Sequence, residues 1–232
     1  MTPGSVQVLL QRESELPQHD EWLTPEETVV LAGLRFPKRR AEWRLGRWTA
    51  KLAVGTFLRI DPAAVRIAAS DDGSPQAIVD GRADRVAVSI SHRDGTAACA
   101  VGPPEAALGC DLETVEPRSE GFVADYLTEA ERARVRAAPE DDRVRVVNLM
   151  WSAKESALKA VRTGLRADTR SVEVELPAEP EPAGRSDPSG WHTLSVVDGT
   201  TGHRFWGWWR DEGTLVLTVV SDGTPDPPTM IR

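Results

Sequence analysis

Two short segments in opposite halves of the chain, Trp48-Thr49-Ala50-Lys51 and Trp151-Ser152-Ala153-Lys154, are nearly identical. Each lies in a helix-patterned stretch followed by a short β segment. With that matching order, the repeat implies an α+β fold of two similar lobes, each a small, mostly antiparallel sheet packed with helices. A boundary near residues 102–107 divides the 232 residues about equally, so lobes 1–105 and 106–232 are expected. A chain of this length can bury a real core.

Local signals fill in the lobes. Val6–Leu10 reads as a strand. Thr24-Pro25-Glu26-Glu27 is a helix start, with a capping Thr, Pro at the first position and acids in the first turn. A short helix over 26–34 and a longer one over 37–58 follow, then a strand over 65–69 and a loop over 71–75. Val86–His92 alternates as a strand, Arg93-Asp94-Gly95-Thr96 turns, and Ala97–Val101 returns. Next, Leu108, Cys110 and Leu112 share one strand face while Gly109, Asp111 and Glu113 share the other. Thr128 to Glu131 opens a helix as a near capping box. The helix over 141–161 carries an apolar stripe of Val146, Leu149, Met150, Ala153, Ala157 and Ala160, with Asn148, Ser152, Glu155 and Lys159 on a different stripe and Gly164 at its end. Residues 172–176, 191–198, 203–210 and 214–220 read as strands, and Pro177–Gly190 as a solvated loop. Trp206 and Trp208 share a strand face and are expected in the core.

Composition removes several classes. With 28% charged and 40% hydrophobic residues, collagen-like, coiled-coil and disordered chains are excluded. No apolar run approaches the ~20 residues of a membrane-spanning helix. The N-terminus lacks the basic and apolar regions of a signal peptide. Cys99 and Cys110 are too few for a disulfide framework, so a reducing, cytoplasmic location is expected. A net charge of −8 argues against nucleic-acid binding, while leaving room for a local basic site for a small anion.

Four constellations could carry chemistry. Asp111 and Glu113 project from one strand face, either as ordinary surface acids or as ligands of a hard divalent cation that relieves their repulsion. Glu155 and Lys159, at i,i+4, form either a surface ion pair or, if they meet Asp111 and Glu113, part of a site for Mg²⁺ and phosphate. Arg40, Arg44, Arg47 and Lys51 lie in a narrow helical arc, either a solvated face or a receiver of phosphates or of an acidic protein. Ser91-His92 ends a strand before a tight turn, either structurally or as a phosphate or proton-transfer contact. Among sequence motifs there is no metal-ligand His/Cys cluster, phosphate-binding Gly-rich loop or nucleophile elbow.

These pieces occur in a familiar order. Ser89-Ile90-Ser91-His92, Gly109-Cys110-Asp111-Leu112-Glu113 and Trp151-Ser152-Ala153-Lys154-Glu155-Ser156-Ala157-Leu158-Lys159 resemble the signatures of 4′-phosphopantetheinyl transferases, specifically the long, two-lobed type that activates nonribosomal peptide and polyketide synthases. The resemblance spans roughly residues 25–176. It implies transfer of the phosphopantetheine arm of coenzyme A to a Ser of an acyl or peptidyl carrier protein, with release of adenosine 3′,5′-bisphosphate. It implies Mg²⁺ on Asp111 and Glu155, with Glu113 as a third ligand as in the part of the family where that position is acidic, and Glu155 also the base, directly or through water, for the carrier Ser. Lys159 would stabilise the phosphate, and Ser91 and His92 would hold coenzyme A phosphates. The implied fold has two pseudo-symmetric lobes with the active site in the cleft between them, in a monomer that needs neither nucleic acid nor membrane. Gly73 and Pro75 match a family Gly-Lys-Pro segment at the adenosine end of coenzyme A, but Ser74 replaces the Lys; Arg40, Arg47 or Arg93 would compensate. The competing readings are a catalytically weak coenzyme A or carrier-binding module and a Mg²⁺-dependent phosphate-ester hydrolase.

Overall fold

The structure, a computed structural model, describes residues 5–163, 167–177, 190–223 and 226–231. They fall into two compact units, one holding the chain through Ala106 together with the residues from Thr229, the other holding Ala107–Pro228. The expected second lobe therefore gives up its last residues. Thr229–Met230 (β11) pairs in parallel with Gln7–Arg12 (β1), and Thr229 and Ile231 donate their N–H groups to the carbonyls of Val6 and Val8.

In the first unit β1 pairs antiparallel with β5 (Thr96–Gly102), which pairs with β4 (Ala87–Arg93), giving the order β11-β1-β5-β4. The expected tight turn joins β4 to β5, with Asp94 and Gly95 at φ 44° and 68°. Helix α1 (Pro25–Gly33) and the long α2 (Pro37–Leu58) lie between β1 and β2 (Val65–Ala69). Ala50, Ala53 and Val54 of α2 pack on Leu9, Cys99 and Val101 of the sheet and on Val65 and Ile67. The strand β3 (Pro75–Val79), hidden from the sequence by its Gly-Ser-Pro start, closes a hairpin with β2.

The second unit repeats the plan. Strand β6 (Leu108–Thr114) is followed by α3 (Glu120–Tyr126), α4 (Glu129–Ala137) and the long α5 (Arg143–Ala160). Then come β7 (Val172–Glu175), β8 (His192–Asp198), β9 (Arg204–Glu212) and β10 (Leu215–Ser221), in a sheet ordered β6-β10-β9-β8-β7. The reading missed α3, a single helix of 7 residues capped by Ser119. Helix α5 ends at Ala160, before the expected Gly164, which lies outside the described residues; Arg162 takes the left-handed conformation at φ 57°. Leu149, Ala153, Ala157 and Ala160 pack on Val216, Val220, Leu194 and Val196. The polar stripe is not solvated: Asn148 and Ser152 are as buried as the apolar one, because α5 lies flat over β6 and β10. The two tryptophans on one face of β9 part company as well. Trp208 is buried, but Trp206, opposite Ser195 and Ser221 at the start of the strand, is exposed.

The repeat is deeper than four residues. Trp22-Leu23-Thr24 leads into α1 as Tyr126-Leu127-Thr128 leads into α4, and both helices open with a capping box that ends in a buried Glu. Glu27 Oε2 accepts from Thr24 N and Lys51 Nζ, and its Oε1 accepts from Ile67 N. Glu131 Oε2 meets Thr128 N and Lys154 Nζ, and its Oε1 accepts from Val174 N. Each buried carboxylate thus ties a helix start, a long helix and a returning strand together, and each burial is tolerated because every lone pair used has a donor. The aromatic before each capping box packs at a steep angle on the Trp of the four-residue motif, Trp22 on Trp48 at 5.2 Å and Tyr126 edge-on to Trp151 at 4.9 Å.

Candidate active site

Strand β6 and helix α5 make the site. Gly109 is required for their approach: a Cβ there would lie 1.8 Å from the carbonyl oxygen of Ser156 and 3.0 Å from Ala160 N. The strand alternation then aims Asp111 and Glu113 at the same helix, two and four residues further along. They are not the surface acids of an exposed strand; they are 4% and 9% exposed.

Asp111 Oδ1 accepts from Lys159 Nζ at 2.8 Å, and the same ammonium donates to the carbonyl of Cys110 at 3.0 Å. Burial works against the Lys159 charge, but Asp111 and Glu155 more than offset it and hold its pKa above the ordinary lysine value. Glu155, one turn before Lys159, is pushed up to about 7. Desolvation is the largest cause, the neighbouring charge of Asp111 adds to it, Lys159 opposes, and Glu113 contributes further. Three acids therefore feel one another across the strand–helix seam. Behind them, Ser152 and Ser156 both share hydrogen bonds with Thr218 at 2.8 Å, which fixes α5 on β10.

Glu113 has other obligations. Its Oε1 accepts from Trp151 Nε1 at 3.0 Å and its Oε2 from Arg118 at 2.9 Å. Arg118 also donates to Asn148 Oδ1 at 2.7 Å and lies over the ring of Phe122. Asn148 in turn donates to the carbonyls of Glu116 and Val144. Neither Arg118 nor Asn148 stood out in the sequence as a site residue, since a lone Arg in a loop and a lone Asn in a helix carry no spacing signal. Among the described residues no group of three His, Cys, Asp or Glu side chains forms a ready metal cage. The hard oxygen donors Asp111 and Glu155 fit a divalent cation by their chemistry and by the mutual repulsion that such an ion would relieve.

The basic stripe of α2 is largely spent inside the first unit. Lys51 is fully buried on Glu27. Arg44 pairs with Asp20 at 2.7 Å, and Arg40 donates to the carbonyl of Leu31 at 2.6 Å. Arg47 lies over the Trp43 ring at 4.9 Å, and its buried Nε has no hydrogen-bond partner among the described residues. The open anion patch expected of four aligned cations is therefore absent there, because side chains from α1 and the segment before it fold onto the same arc. Ser91 and His92 lie on β4 next to its turn, Ser91 buried and His92 half-buried. Gly73, at φ 86°, and Pro75 flank Ser74 in the β2–β3 turn, where the Ser74 hydroxyl shares a 2.7 Å hydrogen bond with Ser70.

Comparison with known proteins bears on these motifs. The chain is 28% identical over 195 residues to the 4′-phosphopantetheinyl transferase HetI of Nostoc sp., covering 81% of this chain and 78% of that one. Among solved structures it matches the Thermotoga maritima holo-[acyl-carrier-protein] synthase at a TM-score of 0.34 and 21% identity, over 55% of this chain and 76% of that one. The sequence pattern of the 4′-phosphopantetheinyl transferase superfamily matches residues 107–219, the stretch that carries Asp111, Glu155 and Lys159.

Proposed function

We propose that this chain transfers the 4′-phosphopantetheine arm of coenzyme A to a Ser of an acyl or peptidyl carrier protein, with Asp111, Glu155 and Lys159 at the reacting groups. The observation that carries this reading is the acid cluster: a carboxylate lifted to about 7 by burial and by Asp111, one helical turn from a lysine held charged. Glu155, beside Asp111 and one helical turn from Lys159, is the carboxylate placed to take the proton of the carrier Ser hydroxyl. The Ser oxygen forms a bond to the pantetheine-bearing phosphorus. The bond from that phosphorus to the oxygen of the departing nucleotide breaks, and adenosine 3′,5′-bisphosphate leaves with the electron pair.

Lys159, anchored by Asp111 and the Cys110 carbonyl, presents fixed positive charge to the phosphate, and such preorganised charge is the main requirement of phosphoryl transfer. Asp111 and Glu155 are the residues that would hold Mg²⁺, which supplies charge neutralisation at the pyrophosphate when bound. Ser91 and His92 are assigned to coenzyme A phosphates on the strength of their motif.

The test is intact-mass spectrometry of an apo carrier protein incubated with this protein, coenzyme A and Mg²⁺. A gain of one phosphopantetheine, lost with chelator and lost in Glu155→Ala, is expected. No gain on several carrier types, with coenzyme A still bound, overturns the transferase reading in favour of a binding module.

A further inference from the structure

The resemblance adds Glu113 to Asp111 and Glu155 as a third cation ligand, as in part of the family, but that carboxylate is already committed in this chain. Glu113 has a donor on each oxygen, the indole N–H of Trp151 and the guanidinium of Arg118, and it is 9% exposed. Both donors are themselves fixed. Trp151 is 8% exposed and packs edge-on against both Phe122 at 5.1 Å and Tyr126 at 4.9 Å. The Arg118 side chain bonds Asn148 and Glu116 and lies 5.1 Å above the Phe122 ring. Asn148 is fully buried and closes the network back onto the Glu116 carbonyl. Turning Glu113 toward a cation would strip a buried carboxylate of two charge-assisted or indole hydrogen bonds and leave a guanidinium over Phe122 without its main counter-charge.

We propose that Glu113 is not a cation ligand in this protein but the anchor of Arg118, a positioning residue that withholds it, so that a divalent cation is held by Asp111 and Glu155 alone. The carboxylate ties Trp151 of α5 to Arg118 of the 115–119 segment, which sets where the helix presents Glu155. This rests on the cation reading of the preceding subsection.

The experiment titrates Mn²⁺ alone into the full-length protein and follows free Mn²⁺ by electron paramagnetic resonance, a readout independent of turnover. Asp111→Asn and Glu155→Gln are expected to weaken Mn²⁺ binding by more than tenfold. Glu113→Gln is expected to leave it within threefold while lowering the thermal midpoint, because Arg118 loses its counter-charge. Arg118→Met is expected to tighten Mn²⁺ binding severalfold by releasing Glu113 as a third ligand, and the added Glu113→Gln change removes that gain. A loss beyond threefold in Glu113→Gln, or an unchanged affinity in Arg118→Met, overturns the proposal. Unchanged affinity in Asp111→Asn and Glu155→Gln overturns the cation site itself, a failure distinct from the first two.

Discussion

Glu131 and Lys154 meet at 2.9 Å with neither side chain exposed, in a seam where the carboxylate also receives the N–H groups of Thr128 and Val174. Burial pulls the Lys154 pKa down, and Glu131 pulls it back up. Removing one partner leaves an uncompensated buried charge, so Glu131→Ala is expected to destabilise the protein by about 3–5 kcal/mol. The double change Glu131→Leu with Lys154→Met recovers part of that loss, though not the two backbone hydrogen bonds. Urea unfolding measures both, and a loss below about 1 kcal/mol for the single variant contradicts the account.

Gly109 lets α5 touch β6, and its substitution is a direct probe of that contact. Gly109→Ala places a methyl group 1.8 Å from backbone, which neither element can yield, and is expected to cost about 3 kcal/mol or more. Gly33, at the end of α1, has nothing within 4 Å of an added Cβ. Gly33→Ala is therefore expected to be neutral or to stabilise by up to about 1 kcal/mol. Thermal unfolding of the two variants side by side separates them, and equal midpoints refute the close approach.

Glu155 makes stability depend on pH with a definite sign. Its folded pKa lies near 7, above its ordinary value of 4.5, so folding favours the protonated form. The associated stability is fully present below about pH 4.5 and is lost as pH rises through 7. Metal-free protein is thus expected to lose thermal midpoint between pH 5 and 8 through this group. Glu155→Gln, which mimics the protonated form, flattens that part of the profile. A profile of the same slope in Glu155→Gln shows that another group is responsible.

Arg47 is the member of the α2 stripe whose Nε is buried without a hydrogen-bond partner among the described residues. Burial lowers its pKa, and Glu27 partly restores it. Arg47→Ala is expected to raise the apparent KM for coenzyme A with little change in kcat. Steady-state kinetics at varied coenzyme A checks this, and an unchanged KM removes Arg47 from the binding surface.

Much of the site is written locally. The alternation in Leu108–Thr114 puts Gly109, Asp111 and Glu113 on one face, and the i,i+4 spacing of Glu155 and Lys159 puts both on one helix arc. The contact between Lys159 and Asp111 follows once Gly109 lets the two elements meet. What spacing could not reveal is competition. Lys51 looked like one cation of a phosphate-binding stripe, yet it is buried on Glu27, whose capping box made that Glu look like an ordinary first-turn acid. At the places one and five residues after the two four-residue motifs stand Leu52 and Thr56 in one unit and Glu155 and Lys159 in the other. The frame is therefore shared, while the acid and the lysine of the candidate site stand only in the second copy.

The chain by itself determines most of its strands and helix starts, β3 and α3 excepted, with the same-face acids and the repeated motif, because dihedral preference, capping and side-chain period act over a few residues. Only the tertiary structure decides which charges are spent on holding the fold and which remain for chemistry. It joins Glu27 to Lys51, Glu131 to Lys154, and Glu113 to Arg118 and Trp151, and it returns Thr229 to β1. The reason is desolvation: a buried charge takes whichever partner the packing of distant segments brings within reach, and no local pattern records that partner.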